Sequence, residues 1–477
     1  MPPRRGSNSQ PIGERRDRLA SPRAAPGRTV LSSQPWSDPA TAMAYLDGLT
    51  GYESTGVIAE PGTGRVERIT AALGSPNRRY PAVHITGTNG KGSTSALITR
   101  LLRGQGLRVG TYTSPHLRQV TERVAIDEQP VTEAQFAAGL GKVAWACRRA
   151  GVTPSWFEAV TAAGFVLFAD ARVDVAVVEV GMLGRWDATN VVDSSVAVVT
   201  NVELDHADIA GPTRMHIAAE KAGIVRSNTT LVLGDIDTAL LPVFLAQRPH
   251  RILRMGSDIS VSGRRPTPTG STVDLRTPYG SHANVPITLL GEHQCSNAAL
   301  ALAATEAFLG AQVDTESVRR AFDGVQLGGR AEILCDAGPC VLLDAAHNRA
   351  AAAQLRTTLD EYFGRARPRV LVCAVSGMRD PAEFLHGIGA HDFDLVVATE
   401  PEAARMTSAE SVVAAARRLT PAAISVPDPA LALRHAMSAA GEDGLVVVTG
   451  SLYLLEPVRR AFAASAGAIV RAGSSRP

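Results

Sequence analysis

His84-Ile85-Thr86-Gly87-Thr88-Asn89-Gly90-Lys91-Gly92-Ser93-Thr94 gathers the parts of a nucleotide-phosphate cradle into eleven residues. Its glycines let the backbone bend and approach an anion. Consecutive N–H groups then point inward, Lys91 adds a positive charge, and the hydroxyl of Ser93 can reach a magnesium ion. The spacing departs from the strict P-loop, because only Thr88 and Asn89 separate Gly87 from Gly90-Lys91, and Gly92 stands between the lysine and Ser93. A plain glycine-rich turn between strand and helix is the competing reading. The lysine and the hydroxyls favour a site for ATP.

Two further groups suit a cation beside that loop. Glu179 stands near the end of the apolar run Val173-Asp174-Val175-Ala176-Val177-Val178-Glu179, where an unpaired carboxylate is costly to bury and needs a cation, a hydrogen-bond network or water. His206, in Asn201-Val202-Glu203-Leu204-Asp205-His206, follows the next apolar run, and a neutral imidazole can coordinate a metal. A salt-bridged strand-end glutamate and a structural histidine remain the alternatives.

The elements that must position these groups form an α/β pattern from about Asp38 onward, with apolar strand-like runs alternating with amphipathic helical ones. Strands are predicted at 82–86, 108–112, 173–180, 195–202 and 230–234, with helices at 133–150 and 155–170. The Thr-, Ser- and Gly-rich stretch 252–289 predicts a small β-rich appendage, followed by a helix over 297–309. A second series of strands at 341–344, 370–375, 395–398 and 445–449 starts after Leu327-Gly328-Gly329-Arg330. The expected units are therefore a disordered Arg/Pro/Ser-rich tail (1–37), an ATP-binding unit with its appendage (38–326) and a second α/β unit (327–477). Ligands of such folds gather at the carboxyl ends of the strands.

Bulk composition narrows the function. The chain has 477 residues, 45% hydrophobic and 20% charged, with no apolar run near the roughly 18 residues needed to span a bilayer. Net charge is only +2, and the excess lies in the tail, where Arg4, Arg5, Arg15, Arg16, Arg18, Arg23 and Arg28 face just Glu14 and Asp17. The remainder is mildly acidic, which argues against a nucleic-acid-binding body. The five cysteines, Cys147, Cys295, Cys335, Cys340 and Cys373, include no CxxC pair and are expected as free thiols. A cytoplasmic monomer that binds small molecules, and neither membrane nor nucleic acid, is the expectation.

The ordered motifs from about residue 40 to about 465 resemble the folylpolyglutamate synthase/dihydrofolate synthase family, which is related to the Mur ligases. The matching pieces are the glycine loop, Thr113-Ser114-Pro115-His116-Leu117, Phe157-Glu158, Glu179-Val180-Gly181, Gly184-Arg185, Asp187-Ala188-Thr189-Asn190 and Asp205-His206. Glu220-Lys221-Ala222-Gly223-Ile224, His293-Gln294 with Asn297-Ala298, Gly329-Arg330, Asp344 with His347-Asn348, and Gly450-Ser451 complete the set.

The resemblance implies a P-loop parallel-sheet ATPase domain followed by a smaller Rossmann-like α/β domain, and an ATP-dependent ligase that adds L-glutamate to dihydropteroate or reduced folates through an acyl phosphate. It implies that Asn89, Gly90, Lys91, Gly92 and Ser93 hold the phosphates. Ser93, Glu179 and His206 would hold one magnesium ion, with Ser114 as a further ligand. Lys221 would be carbamylated and serve a second magnesium ion, unless it is simply salt-bridged. Asn297, Arg330 and Asp344 would contact the nucleotide, His347 and Ser451 the incoming glutamate, and Phe157, Trp186, Asp187 and Ala188 the pterin. Lys91, Lys221 and His347 are the expected catalytic residues.

Departures fall around substrate handling. Arg349 stands where the family usually has proline, Arg379-Asp380-Pro381 replaces an Asp-Lys-Asp run, Met182-Leu183 precede Gly184-Arg185, and the family's substrate loop is poorly matched around Gly64 to Arg68. A cell-wall amino-acid ligase is the rival enzyme, disfavoured by Gly92-Ser93. A nucleotide-switched binding protein is the rival of another class.

Overall fold

The computed structural model describes residues 36, 38–51, 55, 61–205, 207–334 and 339–473, without the side chains of 207 and 465–473. Of the expected tail only Trp36 lies among them, and its ring meets Tyr45 edge-on at 5.2 Å.

Eight strands make the first sheet: β1 (Ala82–Thr86), β2 (Val109–Tyr112), β3 (Val124–Ile126), β4 (Gln129–Pro130), β5 (Val175–Glu179), β6 (Ser194–Val199), β7 (Thr230–Leu233) and β8 (Arg251–Arg254). Their spatial order is β4-β3-β2-β5-β1-β6-β7-β8. From β2 to β8 the pairs are parallel, while β3 and β4 close one edge antiparallel. All five residues of β1 and of β5 are buried, as a strand covered on both faces requires. One face packs the Lys91–Gly104 and Glu292–Leu309 helices, and the other packs the Glu133–Ala150 and Trp156–Ala171 helices.

The predicted helix over 133–150 matches its structural bounds, because Thr132 caps it with a reciprocal bond to Gln135 and Gly151 ends it in the left-handed region. The stretch read as a β appendage divides. Its first residues form β8 and extend the main sheet, while β9 (Ser260–Thr267), β10 (Gly270–Thr277) and β11 (Gly280–Ile287) form a separate antiparallel meander. Val273, Leu275, Val285 and Ile287 of the meander are buried in the same core as the Lys91–Gly104 helix.

The third sheet runs β12 (Glu332–Leu334), β13 (Cys340–Leu343), β17 (Leu445–Thr449), β14 (Arg369–Cys373), β15 (Leu395–Ala398) and β16 (Ala423–Ser425) in spatial order. All pairs but β12–β13 are parallel. Helices cover both faces, giving two further cores. Cys147, Cys295 and Cys373 are free thiols, and Cys335 lies outside the described residues. Among the described residues no helix is long and apolar enough to cross a membrane.

Candidate active site

Strand order explains why distant motifs meet. β1 lies between β5 and β6, with Ile85 opposite Glu179 and Thr86 opposite Val199. The loop after β1, the carboxylate ending β5 and the segment after β6 therefore leave the sheet side by side, and β2 brings Ser114 to the far side of β5.

The glycine turn after β1 is built by close approach. Gly90 has φ of 84°, and a methyl group there would stand 2.5 Å from Oδ1 of Asn297. Gly87 likewise faces Thr200 with no room for a side chain. Asn89 is held by Asn201 from both ends: its N–H donates to Oδ1 at 2.9 Å and its carbonyl accepts from Nδ2 at 3.0 Å. The Lys91–Gly104 helix starts at Gly90 with no side-chain cap, which leaves N–H groups of its first turn for an anion. Lys91 folds back and donates to the carbonyls of Gly87 at 3.0 Å and Thr88 at 3.2 Å.

Glu179 is 4% exposed. Burial raises its carboxyl above the usual range, opposed by Lys91, the Ser114 N–H at 3.2 Å, Arg330 and Arg123. A methyl group on Gly92 would lie 3.7 Å from Oε2 of Glu179 and 3.8 Å from Nη2 of Arg330, so a residue leading into the third sheet reaches the loop. The hydroxyls of Ser93 and Ser114 are buried with no hydrogen-bond partner among the described residues. Two orphan hydroxyls beside a buried carboxylate fit a hard cation that takes its remaining oxygens from phosphate and water, as magnesium does. No group of three His, Cys, Asp or Glu side chains suited to a metal occurs among the described residues. His206 lies outside the described residues, but its neighbour Asp205 is placed.

Lys221 ends the Arg214–Ala222 helix and is 3% exposed. Burial and the charge of Lys91 bring its amine down to about 7, against the pull of Asp205. Its neighbour Glu220 pairs with Arg185 at 3.7 Å rather than with Lys221. About half of the amine is then neutral at neutral pH, the form that carbamylation requires.

The residues expected beside the pterin differ in exposure and bonding. The ring of Phe157 packs where a side chain at Gly181 would be, and meets Tyr112 edge-on at 6.2 Å. Trp186 is 45% exposed. Ala188 is buried, and Asp187 uses its oxygens within the loop, accepting from the Met182 N–H at 2.9 Å and from the N–H and hydroxyl of Thr189 at 2.9 and 2.5 Å. In the poorly matched stretch, Arg65 grips Glu158 with two bonds of 3.0 Å, next to Phe157.

Two neighbouring strands of the third sheet, β13 and β17, supply the opposite wall. Asp344 follows β13 and accepts from the N–H groups of Ala331 and Ala346, both at 2.8 Å. His347 pairs with the carbonyl of Ala345 at 2.8 Å, and Ser451, after β17, is buried. Asn348 and Asn89 exchange amide bonds at 3.0 and 3.4 Å, joining this wall to the glycine turn after β1. Sequence reasoning passed over Arg123, which is fully buried, lies 4.5 Å from the Trp156 ring centroid and donates to His116 at 2.9 Å. Nothing in its local pattern separates it from a surface arginine.

The chain is 38% identical over 381 residues to the dihydrofolate synthase/folylpolyglutamate synthase of Mycobacterium tuberculosis, covering 75% of this chain and 78% of that protein. The chain belongs to the dihydrofolate synthase/folylpolyglutamate synthase family. Within it, residues 152–305 match the Mur ligase middle domain and residues 329–452 the Mur ligase glutamate ligase domain. Folylpolyglutamate synthase of M. tuberculosis, solved with ADP and AMPPCP, superposes with a TM-score of 0.82 at 35% identity, over 89% of this chain and 99% of that one. A bifunctional folylpolyglutamate synthase/dihydrofolate synthase with Mn, AMPPNP and L-glutamate bound gives 0.77 at 27%, over 91% and 100%. As a member of that family, the chain is an ATP-dependent acid–amino-acid ligase, and the cell-wall Mur enzymes are its distant relatives.

Proposed function

We propose that this ligase couples L-glutamate to a pteroate or folate carboxylate, with ATP as the activating substrate and a divalent metal as cofactor. The convergence of Lys91, Glu179, Ser93, Ser114, Arg330 and Asn297 on one turn supports it above all else. ADP and AMPPCP in the mycobacterial relative, and Mn, AMPPNP and L-glutamate in the bifunctional one, agree with that chemistry.

The acceptor carboxylate attacks the γ-phosphorus of ATP, and the bond to the bridging oxygen breaks to release ADP. The glutamate amine then attacks the acyl carbon, loses a proton and expels phosphate, leaving an amide. Lys91 offsets charge on the transferring group, and Gly90 and Gly92 direct N–H groups at it, on a turn that the Asn89–Asn201 bonds hold in shape. Ser93, Ser114, Glu179 and His206 would hold the metal, which supplies electrostatic stabilisation of the phosphates. Lys221, once its neutral amine has added to CO2 and lost a proton, would offer a second metal an anionic oxygen.

Asn297, Arg330 and Asp344 would frame the nucleotide, Arg330 directly and Asp344 by fixing the backbone on either side. His347 and Ser451 would meet the glutamate, and Phe157, Trp186, Asp187 and Ala188 would bound the pterin. The units assigned to these roles run 38–326 and 327–477.

Mass spectrometry of products from dihydropteroate and from tetrahydrofolate, each with ATP, magnesium and glutamate, tests the reading. It is expected to find one added glutamate or more on at least one acceptor. ATP hydrolysis that ignores the acceptor, with no glutamylated product, would overturn it in favour of a nucleotide switch.

A further inference from the structure

Arg379 stands where the family's substrate-handling run is replaced, and it joins the two walls of the cleft. It follows β14 and turns toward the first sheet. Nη2 donates to Oδ1 of Asp205 at 2.8 Å, and Nη1 donates to the carbonyl of His347 at 2.6 Å. The second oxygen of Asp205 accepts from Nδ2 of Asn348 at 3.3 Å and lies 3.8 Å from Nε2 of His347. Asn348 in turn exchanges amide bonds with Asn89 of the phosphate turn. One continuous path thus runs from Arg379 through Asp205 and Asn348 to Asn89 and Asn201.

We propose that Arg379 is a positioning residue for the ligase reaction: a staple that holds the His347-Asn348 turn against the Asp205 loop and the phosphate turn, so that the nucleotide and glutamate ends of the cleft close in register. This rests on the ligase reading above and adds a residue to it. The pair with Asp205 is partly shielded, with side chains 21% and 10% exposed, so it is screened less than a surface pair. The planar guanidinium can serve a carboxylate and a carbonyl from adjacent nitrogens at fixed angles. A lysine ammonium has three rotatable donors but no such fork. Asp205 also neighbours His206, so the staple acts on the chain segment expected to carry a metal ligand.

The rival assignment gives Arg379 direct contact with a carboxylate of the incoming glutamate. The two differ in which constants move. In full-length protein supplied with tetrahydrofolate, ATP, magnesium and glutamate, Arg379→Ala is expected to lower kcat by about tenfold to a hundredfold, the scale of a misplaced reacting group. It should raise KM for ATP and glutamate together, and Arg379→Lys should restore part of the loss. The double variant Arg379→Ala/Asp205→Asn should be no worse than the weaker of its two singles, because both remove one link. Hydrogen exchange in peptides covering 86–90 and 345–349 should speed up in Arg379→Ala while the melting temperature shows a folded protein.

A rise in glutamate KM alone, or losses that multiply in the double variant, would assign Arg379 to the substrate and overturn the staple. Unchanged exchange at 86–90 would overturn it also, and decides the matter if Asp205→Asn is inactive by itself.

Discussion

Lys91 is held before any anion arrives, by the carbonyls of Gly87 and Thr88, so its charge sits over the cradle without a search for position. Lys91→Ala is therefore expected to lower product formation by about a hundredfold or more, as loss of a preorganised charge at a transferring group does. Circular dichroism should show an unchanged fold, and substantial retained activity would remove the lysine from the mechanism. Gly90→Ala asks a side chain to adopt φ of 84° against Asn297. A loss of about 1 kcal/mol or more in stability and a raised KM for ATP are expected, readable by denaturant melts and kinetics. A wild-type melt would show that Asn297 yields. At this scale much of the site was legible: glycine spacing, a lysine and a strand-end carboxylate are local signals. Arg379 and Arg123 were not, because their partners are far away in sequence, Asp205 in one case and Trp156 with His116 in the other.

Among elements, the central parallel strands β5, β14 and β17 were easiest to see, since both faces are covered and each reads as a Val-rich run. The short strands β3, β4, β12 and β16, at or next to a sheet edge, carry two or three residues each and leave no periodicity to read. β8 was folded into the appendage prediction because Arg251–Arg254 is as polar as the meander strands after it.

One polar residue breaks the apolar pattern of β1. His84 is 1% exposed, and its Nε2 lies 2.9 Å from the Thr189 hydroxyl, which itself donates to Asp187. His84 is then neutral and donates from Nε2. Burial, helped by Arg226, lowers its folded pKa to about 3 from an ordinary 6.5. Between those values the unfolded chain binds the extra proton, so this contribution to stability is full above about pH 6.5 and falls as pH drops toward 3. The slope is up to about 1.4 kcal/mol per pH unit. Denaturant midpoints from pH 7 to 4 should fall more steeply for the wild type than for His84→Gln; equal slopes would place the acid sensitivity elsewhere.

For the whole molecule, the site is an agreement between two sheets, each contributing the carboxyl ends of adjacent strands. Nucleotide should then stabilise both together. Magnesium-ADP at about a hundred times its Kd is expected to add about 2.7 kcal/mol, seen as one shifted melting transition, and Lys91→Ala should lose most of that shift. Separate transitions, of which only one moves, would mean that the walls respond independently.

The Arg349–Phe363 helix touches the first body near both of its ends. Asn348 caps its start and meets Asn89, while near its finish Glu361 binds Arg264 at 2.8 and 2.6 Å and the Tyr362 hydroxyl donates to the carbonyl of Gly270 at 2.6 Å. Those anchor points are about 20 Å apart along a 15-residue rod. Two fixed points define a line, and a body pinned along a line keeps one freedom, which is to swing about it. The Arg379–Asp205 pair is a third point off that line, so while all three hold no swing is left, and releasing Arg379 alone would free a turn about the helix axis.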